Sequence, residues 1–123
     1  MKILFTTYLP EEGFAGLREH QLVIPQAPYL NREELCEQIR DAEVLVATFD
    51  YAVPAEVLAE AKSLKLVANF GVGFNNIDVA YCKAHGILVT NTPHTVTEPT
   101  AEHCFALMHT LAHRTAELDR KLR

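Results

Sequence analysis

The chain has 123 residues, 49% of them apolar, enough for one domain with a packed core and too few for two. Against 16 acidic residues stand 11 basic ones, a net charge of −5 with no block of like charge, which excludes a surface built for nucleic acid or anionic membrane. No apolar run approaches the roughly 20 residues that span a bilayer, and the N-terminus MKILFTTYLPEEGF turns acidic before a signal-peptide core develops, so a cytoplasmic protein is expected. Cys36, Cys82 and Cys104 are an odd number without CxxC spacing and read as reduced thiols used as small apolar residues.

Short apolar runs alternate with amphipathic ones. KILF at Lys2 to Phe5 begins a first strand, and Pro10 to His20, with Phe14, Ala15 and Leu17 among charges, predicts a helix. QLVI from Gln21 is a second strand. Asn31 is a good N-cap for REELCEQIRDA, with Glu34 placed to complete a capping box, and EVLVA at Glu43 to Ala47 is a third strand. Pro54 suits the first turn of a helix through Lys62, and Leu64 to Asn69 supplies strand four. Asp78 caps a helix that stops at Gly86, and ILVT at Ile87 to Thr90 is strand five. Such an alternation predicts an α/β, flavodoxin-like, doubly wound five-stranded parallel sheet of order 2-1-3-4-5, covered on both faces. From Thr97 to Arg123 the residues Cys104, Met108, Leu111, Thr115, Leu118 and Leu122 recur at spacings of four and three, predicting one long C-terminal helix. The chain ends inside that pattern without a Gly or Asn cap, a hint that more sequence follows.

The stretch NFGVGFNNID invites comparison with a dinucleotide-binding turn, which needs a third glycine and an acid at the end of the next strand. Asn76 stands at the third glycine position, and the next strand ends Val89-Thr90-Asn91. What remains is a tight turn at the carboxyl end of a parallel strand, whose glycines let backbone N–H groups approach a small carboxylate. Asp50, after strand three, lacks the acidic neighbours after strand one that a phospho-acceptor site requires. His109 and His113 share a helical face without a third ligand and read as exposed histidines; His94, in the loop after strand five, has no fixed partner.

The run VANFGVGFNNIDVAYCKAHGILVTNTPHTVTEPTAEHCFALMHTLAHR resembles the NAD-dependent D-2-hydroxyacid dehydrogenases, nearest to their glyoxylate and hydroxypyruvate reductase branch. The likeness is specific from about Val67 to Arg114 and looser over residues 1–66. It implies that residues 1–96 are part of a flavodoxin-like substrate domain and that residues 97–123 are an interdomain or dimerisation helix. It implies further that Val72 and Gly73 offer N–H groups to the carboxylate of a 2-oxo or 2-hydroxy acid, that Val72 and Thr100 contact the nicotinamide cofactor, and that Thr48 to Tyr51 form the cleft rim. Asn75 stands where the family usually has aspartate, a change that leaves turn chemistry intact. The family's cofactor fingerprint, catalytic arginine, glutamate and histidine, and returning C-terminal segment have no counterpart in these residues.

The resulting expectation is the substrate-domain portion of an oxidoreductase that moves hydride between NAD(P)H and a small 2-oxo acid. By itself it should be inactive, without bound cofactor or metal, and should hold a carboxylate weakly. The C-terminal stripe is expected to fold back over the sheet or to pair with its copy in a homodimer, and the heptad-like spacing favours pairing. The alternative is a self-standing, non-catalytic flavodoxin-like module that folds and self-associates; the reading frame after Arg123 separates the two.

Overall fold

A computed structural model describes residues 1–26 and 28–123, which fall into two units, Met1–Thr92 and Pro93–Arg123. In the first unit, β1 (Lys2–Phe5), β2 (Gln21–Val23), β3 (Val44–Thr48), β4 (Leu66–Phe70) and β5 (Leu88–Thr90) form one parallel sheet of order β2-β1-β3-β4-β5, as expected. The helices α1 (Arg32–Gln38), α2 (Ala55–Glu60) and α3 (Val79–Ala84) are its crossovers.

Local chemistry sets their ends. The Glu34 N–H donates to Asn31 Oδ1 at 2.9 Å while the Asn31 N–H donates to Glu34 Oε2 at 3.0 Å, a complete capping box for α1. The Tyr81 N–H donates to Asp78 Oδ1 at 2.9 Å at the start of α3, and Gly86, at φ +72°, ends it in the left-handed region that glycine enters without steric cost.

Alternation along the strands separates two faces. Leu4, Leu45, Ala47 and Val67 are fully buried and cluster with Leu35 of α1, Ile39 just after it, Val57 and Leu58 of α2 and Cys82 of α3, which together make the core. The opposite face is made by the alternate residues of the same strands, Val44, Val46, Leu66 and Ala68 among them. Within Met1–Thr92 it carries only the β1–β2 connection, a 3₁₀ segment at Glu11–Leu17 in place of the predicted helix from Pro10 to His20. Gly13 and Gly16 weaken the helical preference there, and Phe14 leaves helical geometry at φ −114°, ψ 23° to set its ring edge-on to Phe5, 4.8 Å between centroids. The short segment leaves a groove of about 390 Å³ lined by Phe14, Leu17, Val44, Val46, Leu66 and Ala68, with Phe70 and Leu88 57% and 69% exposed on the same face.

The second unit corrects the expectation of one unbroken helix. It contains α4 (Thr97–Ala112) and α5 (Thr115–Leu122), separated at Arg114, which takes the left-handed conformation at φ 53°, ψ 35°. Neither Gly nor Pro marks that break. Arg114 meets the conformational cost, about 1–2 kcal/mol for a side chain there, with local bonds: its Nε and Nη2 donate to the Glu117 carboxylate at 2.7 and 2.6 Å, and its carbonyl accepts the N–H groups of Glu117 and Leu118 at 3.0 Å each. Phe105, Leu107, Met108 and Leu111 are all at least half exposed. Among the described residues no helix is long and apolar enough to cross a membrane.

Candidate functional site

In open parallel sheets, ligands bind beyond the carboxyl ends of the strands. At that edge β4 runs into Gly71-Val72-Gly73, β3 into Phe49-Asp50-Tyr51, and β5 into Asn91-Thr92. The β4 turn lies so close to the β3 turn that a Cβ on Gly71 would sit 2.6 Å from Phe49 Cβ and 3.5 Å from Phe49 Cα. Only glycine allows this approach without moving backbone. A Cβ on Gly73 would lie 3.1 Å from Asn75 Oδ1, a tighter contact than most real ones.

Three asparagines hold the turn. Asn69, next to last in β4, is buried, 2% exposed, and donates from Nδ2 to the Gly73 carbonyl at 2.6 Å. Asn76 faces it in a head-to-tail carboxamide pair, Nδ2 to Oδ1 3.1 Å one way and 3.4 Å the other, and also donates to the carbonyls of Thr48 and Tyr51 at 3.0 and 3.1 Å. This single side chain ties the β4 turn to the β3 turn. Asn91 donates from Nδ2 to the Val72 carbonyl at 2.7 Å, and the Thr92 N–H donates to the Gly71 carbonyl at 2.9 Å.

The N–H groups of Val72 and Gly73, the predicted carboxylate donors, donate to no group among the described residues. In the adjoining segments Phe49, Phe70, Val72 and Phe74 are 66%, 57%, 42% and 54% exposed. Thr100 lies in the first turn of α4, exposed, its N–H given to the Val96 carbonyl at 3.0 Å. The site does not fit a dinucleotide pyrophosphate: the space a third glycine would open is filled by the Asn76 carboxamide.

Along the rim, the Tyr29 phenol donates to Asp50 Oδ2 at 2.7 Å and the Tyr51 phenol to the Leu30 carbonyl at 2.8 Å, with the two rings stacked 6.3 Å apart. The Tyr29 hydrogen bond holds the Asp50 carboxyl below its ordinary range, and the same bond and the carboxylate's charge push the phenol up. The rings of His109 and His113 stack 6.0 Å apart, and no group of three or more metal-ligating side chains occurs among the described residues. The sequence reading missed Asn69, Asn91 and Tyr29. The available signal for the first two was a polar residue closing an otherwise apolar strand.

Fold and turn together define an α/β domain of the flavodoxin-like, doubly wound class. Residues 3–118 match the family described as D-isomer specific 2-hydroxyacid dehydrogenase, catalytic domain, and the chain belongs to that family. It is 37% identical over 124 residues to the glyoxylate reductase of Thermococcus onnurineus, an alignment taking in 99% of this chain and 37% of that protein. A protein of Thermus thermophilus superposes with a TM-score of 0.85 at 34% identity, covering 95% of this chain and 38% of the other. The D-lactate dehydrogenase of Aquifex aeolicus, solved with NAD and lactic acid, gives 0.79 at 27% identity over 99% of this chain and 37% of its own. The chain thus spans a little over a third of the length of the curated relatives it matches.

Proposed function

We propose that residues 1–92 form the substrate side of an oxidoreductase site, with the Val72 and Gly73 N–H groups receiving the carboxylate of a small 2-oxo or 2-hydroxy acid. The observation that carries this reading is the pair of consecutive, undonated N–H groups at the carboxyl end of β4. Two neutral donors compensate a carboxylate's lost hydration only partly, so the affinity is millimolar at best. Among 2-oxo acids, glyoxylate is favoured by the likeness to glyoxylate reductases.

NAD(P)H, when bound, supplies the hydride. The Val72 side chain, apolar and exposed, and Thr100 are the residues of this chain assigned to the nicotinamide. These 123 residues contain no GxGxxG turn, so the chain alone is expected to hold no cofactor and to show only background turnover. We assign it to the cytoplasm on its acidic composition and its free cysteines. The exposed apolar residues of α4, Phe105, Met108 and Leu111, are assigned to pairing with a second copy.

Titrating the ¹⁵N-labelled chain with glyoxylate tests the reading. Saturable shifts at the Val72 and Gly73 amides are expected, and their absence at tens of millimolar refutes it. Oxidation of NADH above background with glyoxylate, pyruvate or hydroxypyruvate would refute the inactivity of the chain, and a monomer by light scattering at micromolar concentration would refute the pairing.

A further inference from the structure

In a trans peptide the C=O of one residue and the N–H of the next point in opposite directions across one rigid plane. Fixing a carbonyl therefore fixes the direction of the following N–H. No peptide bond is cis among the described residues. The Gly71 carbonyl, held at 2.9 Å by the Thr92 N–H, aims the Val72 N–H; the Val72 carbonyl, held at 2.7 Å by Asn91 Nδ2, aims the Gly73 N–H. Both clamps come from the dipeptide that follows β5, so both N–H groups leave on the side away from it.

Resting on the carboxylate reading above, we propose that Asn91 is a positioning residue. Its carboxamide presets the Gly73 N–H as the second donor of the carboxylate site without itself touching the substrate. Gly73 is where such a device is needed, since a glycine peptide rotates more freely than any other. Its own carbonyl is held by the buried Asn69 at 2.6 Å, so the peptide that follows Gly73 is fixed by a second asparagine and the peptide that precedes it by Asn91. Preorganised donors bind an anion without reorganising, and a donor that must first be turned contributes less. A role for Asn91 in strand pairing is not available as an explanation: its side chain reaches 19 residues back to a turn carbonyl outside every strand.

The variants Asn91→Leu, which keeps the shape and removes the donor, and Asn91→Ala test the assignment in the ¹⁵N-labelled chain with glyoxylate as the probe. Each is expected to loosen the Gly73 N–H in ¹⁵N relaxation while the Val72 N–H, set by the backbone of Thr92, stays ordered, and to weaken glyoxylate about tenfold with the melting midpoint retained. A merely structural role would loosen both amides and lower the midpoint, which overturns the proposal. So does either folded variant that keeps Gly73 ordered and binds glyoxylate as the parent does. If the parent itself shows no glyoxylate shift, the carboxylate reading fails, and the relaxation of Gly73 against Val72 still decides whether Asn91 aims that N–H.

Discussion

Gly71→Ala is the substitution whose cost follows most directly from the geometry. The new methyl would stand 2.6 Å from Phe49 Cβ, whereas carbon atoms rest at about 3.5–4.0 Å, so the two turns must part by roughly 1 Å. Cβ is fixed by the backbone, and no rotation of the Phe49 ring relieves the contact. Parting the turns stretches the Asn76 bonds to the Thr48 and Tyr51 carbonyls, now 3.0 and 3.1 Å, out of hydrogen-bond range. Losing two bonds at about 1 kcal/mol each agrees with the usual overpacking cost of about 1–3 kcal/mol, giving about 2 kcal/mol, or roughly 6–10 °C in a domain of this size. Urea unfolding followed by circular dichroism measures it. Gly13→Ala is the reference, since a Cβ there meets nothing within 4 Å, and a gain of about 0.4–1 kcal/mol is expected. The steric reasoning fails if the two variants unfold at the same midpoint.

Three further outcomes are expected. Asp50 has its folded-state pKa depressed, so its contribution to stability is present above the unfolded value and is lost as pH falls through the lower folded value; Tyr29→Phe removes the chief cause, and carboxyl ¹³C titration should show Asp50 moving up toward an ordinary aspartate. Thiol labelling should run Cys104, then Cys36, then Cys82, because Cys104 is exposed while Cys82 is fully buried with its thiol pushed up by that burial; a fast Cys82 would contradict the packing beneath α3. Arg114→Gly removes the left-handed cost, about 1 kcal/mol, and with it the exposed Glu117 pair, which is worth less; helicity by circular dichroism should hold or rise, and a fall would show that the side chain's bonds dominate.

The sheet was legible in the sequence because buried parallel strands are short apolar runs, and the runs at Lys2, Gln21, Glu43, Leu64 and Ile87 each fall within two residues of an observed strand. Asn31 and Asp78 were legible as caps for a similar reason: their partners lie three residues away, so the chemistry sits within one turn. The break at Arg114 was not. Its stabilising partner is also three residues off, but Arg and Glu at that spacing are as common inside a continuous helix as at its interruption. The 3₁₀ form of the β1–β2 connection was hidden because Phe14 and Leu17 have helical spacing whether the segment forms an α-helix or the tighter 3₁₀ turns.

The glycine turn itself was legible in the sequence, but most of what shapes it could not be read from spacing. Asn69 acts within the turn, on a carbonyl 4 residues on, whereas Asn76 and Asn91 act on carbonyls 25 or 28 and 19 residues away, brought within reach because β4 pairs with β3 on one side and β5 on the other. The same network answers why a loop with two of the three glycines of a dinucleotide turn is not one. In that turn the third glycine keeps side-chain atoms away so that helix and strand can close on a pyrophosphate. Here Asn76 fills the position with a carboxamide whose donors are engaged by Asn69, Thr48 and Tyr51, so the loop is closed from within, and the donors left over are two backbone N–H groups. That is enough for one carboxylate and too little for two phosphates.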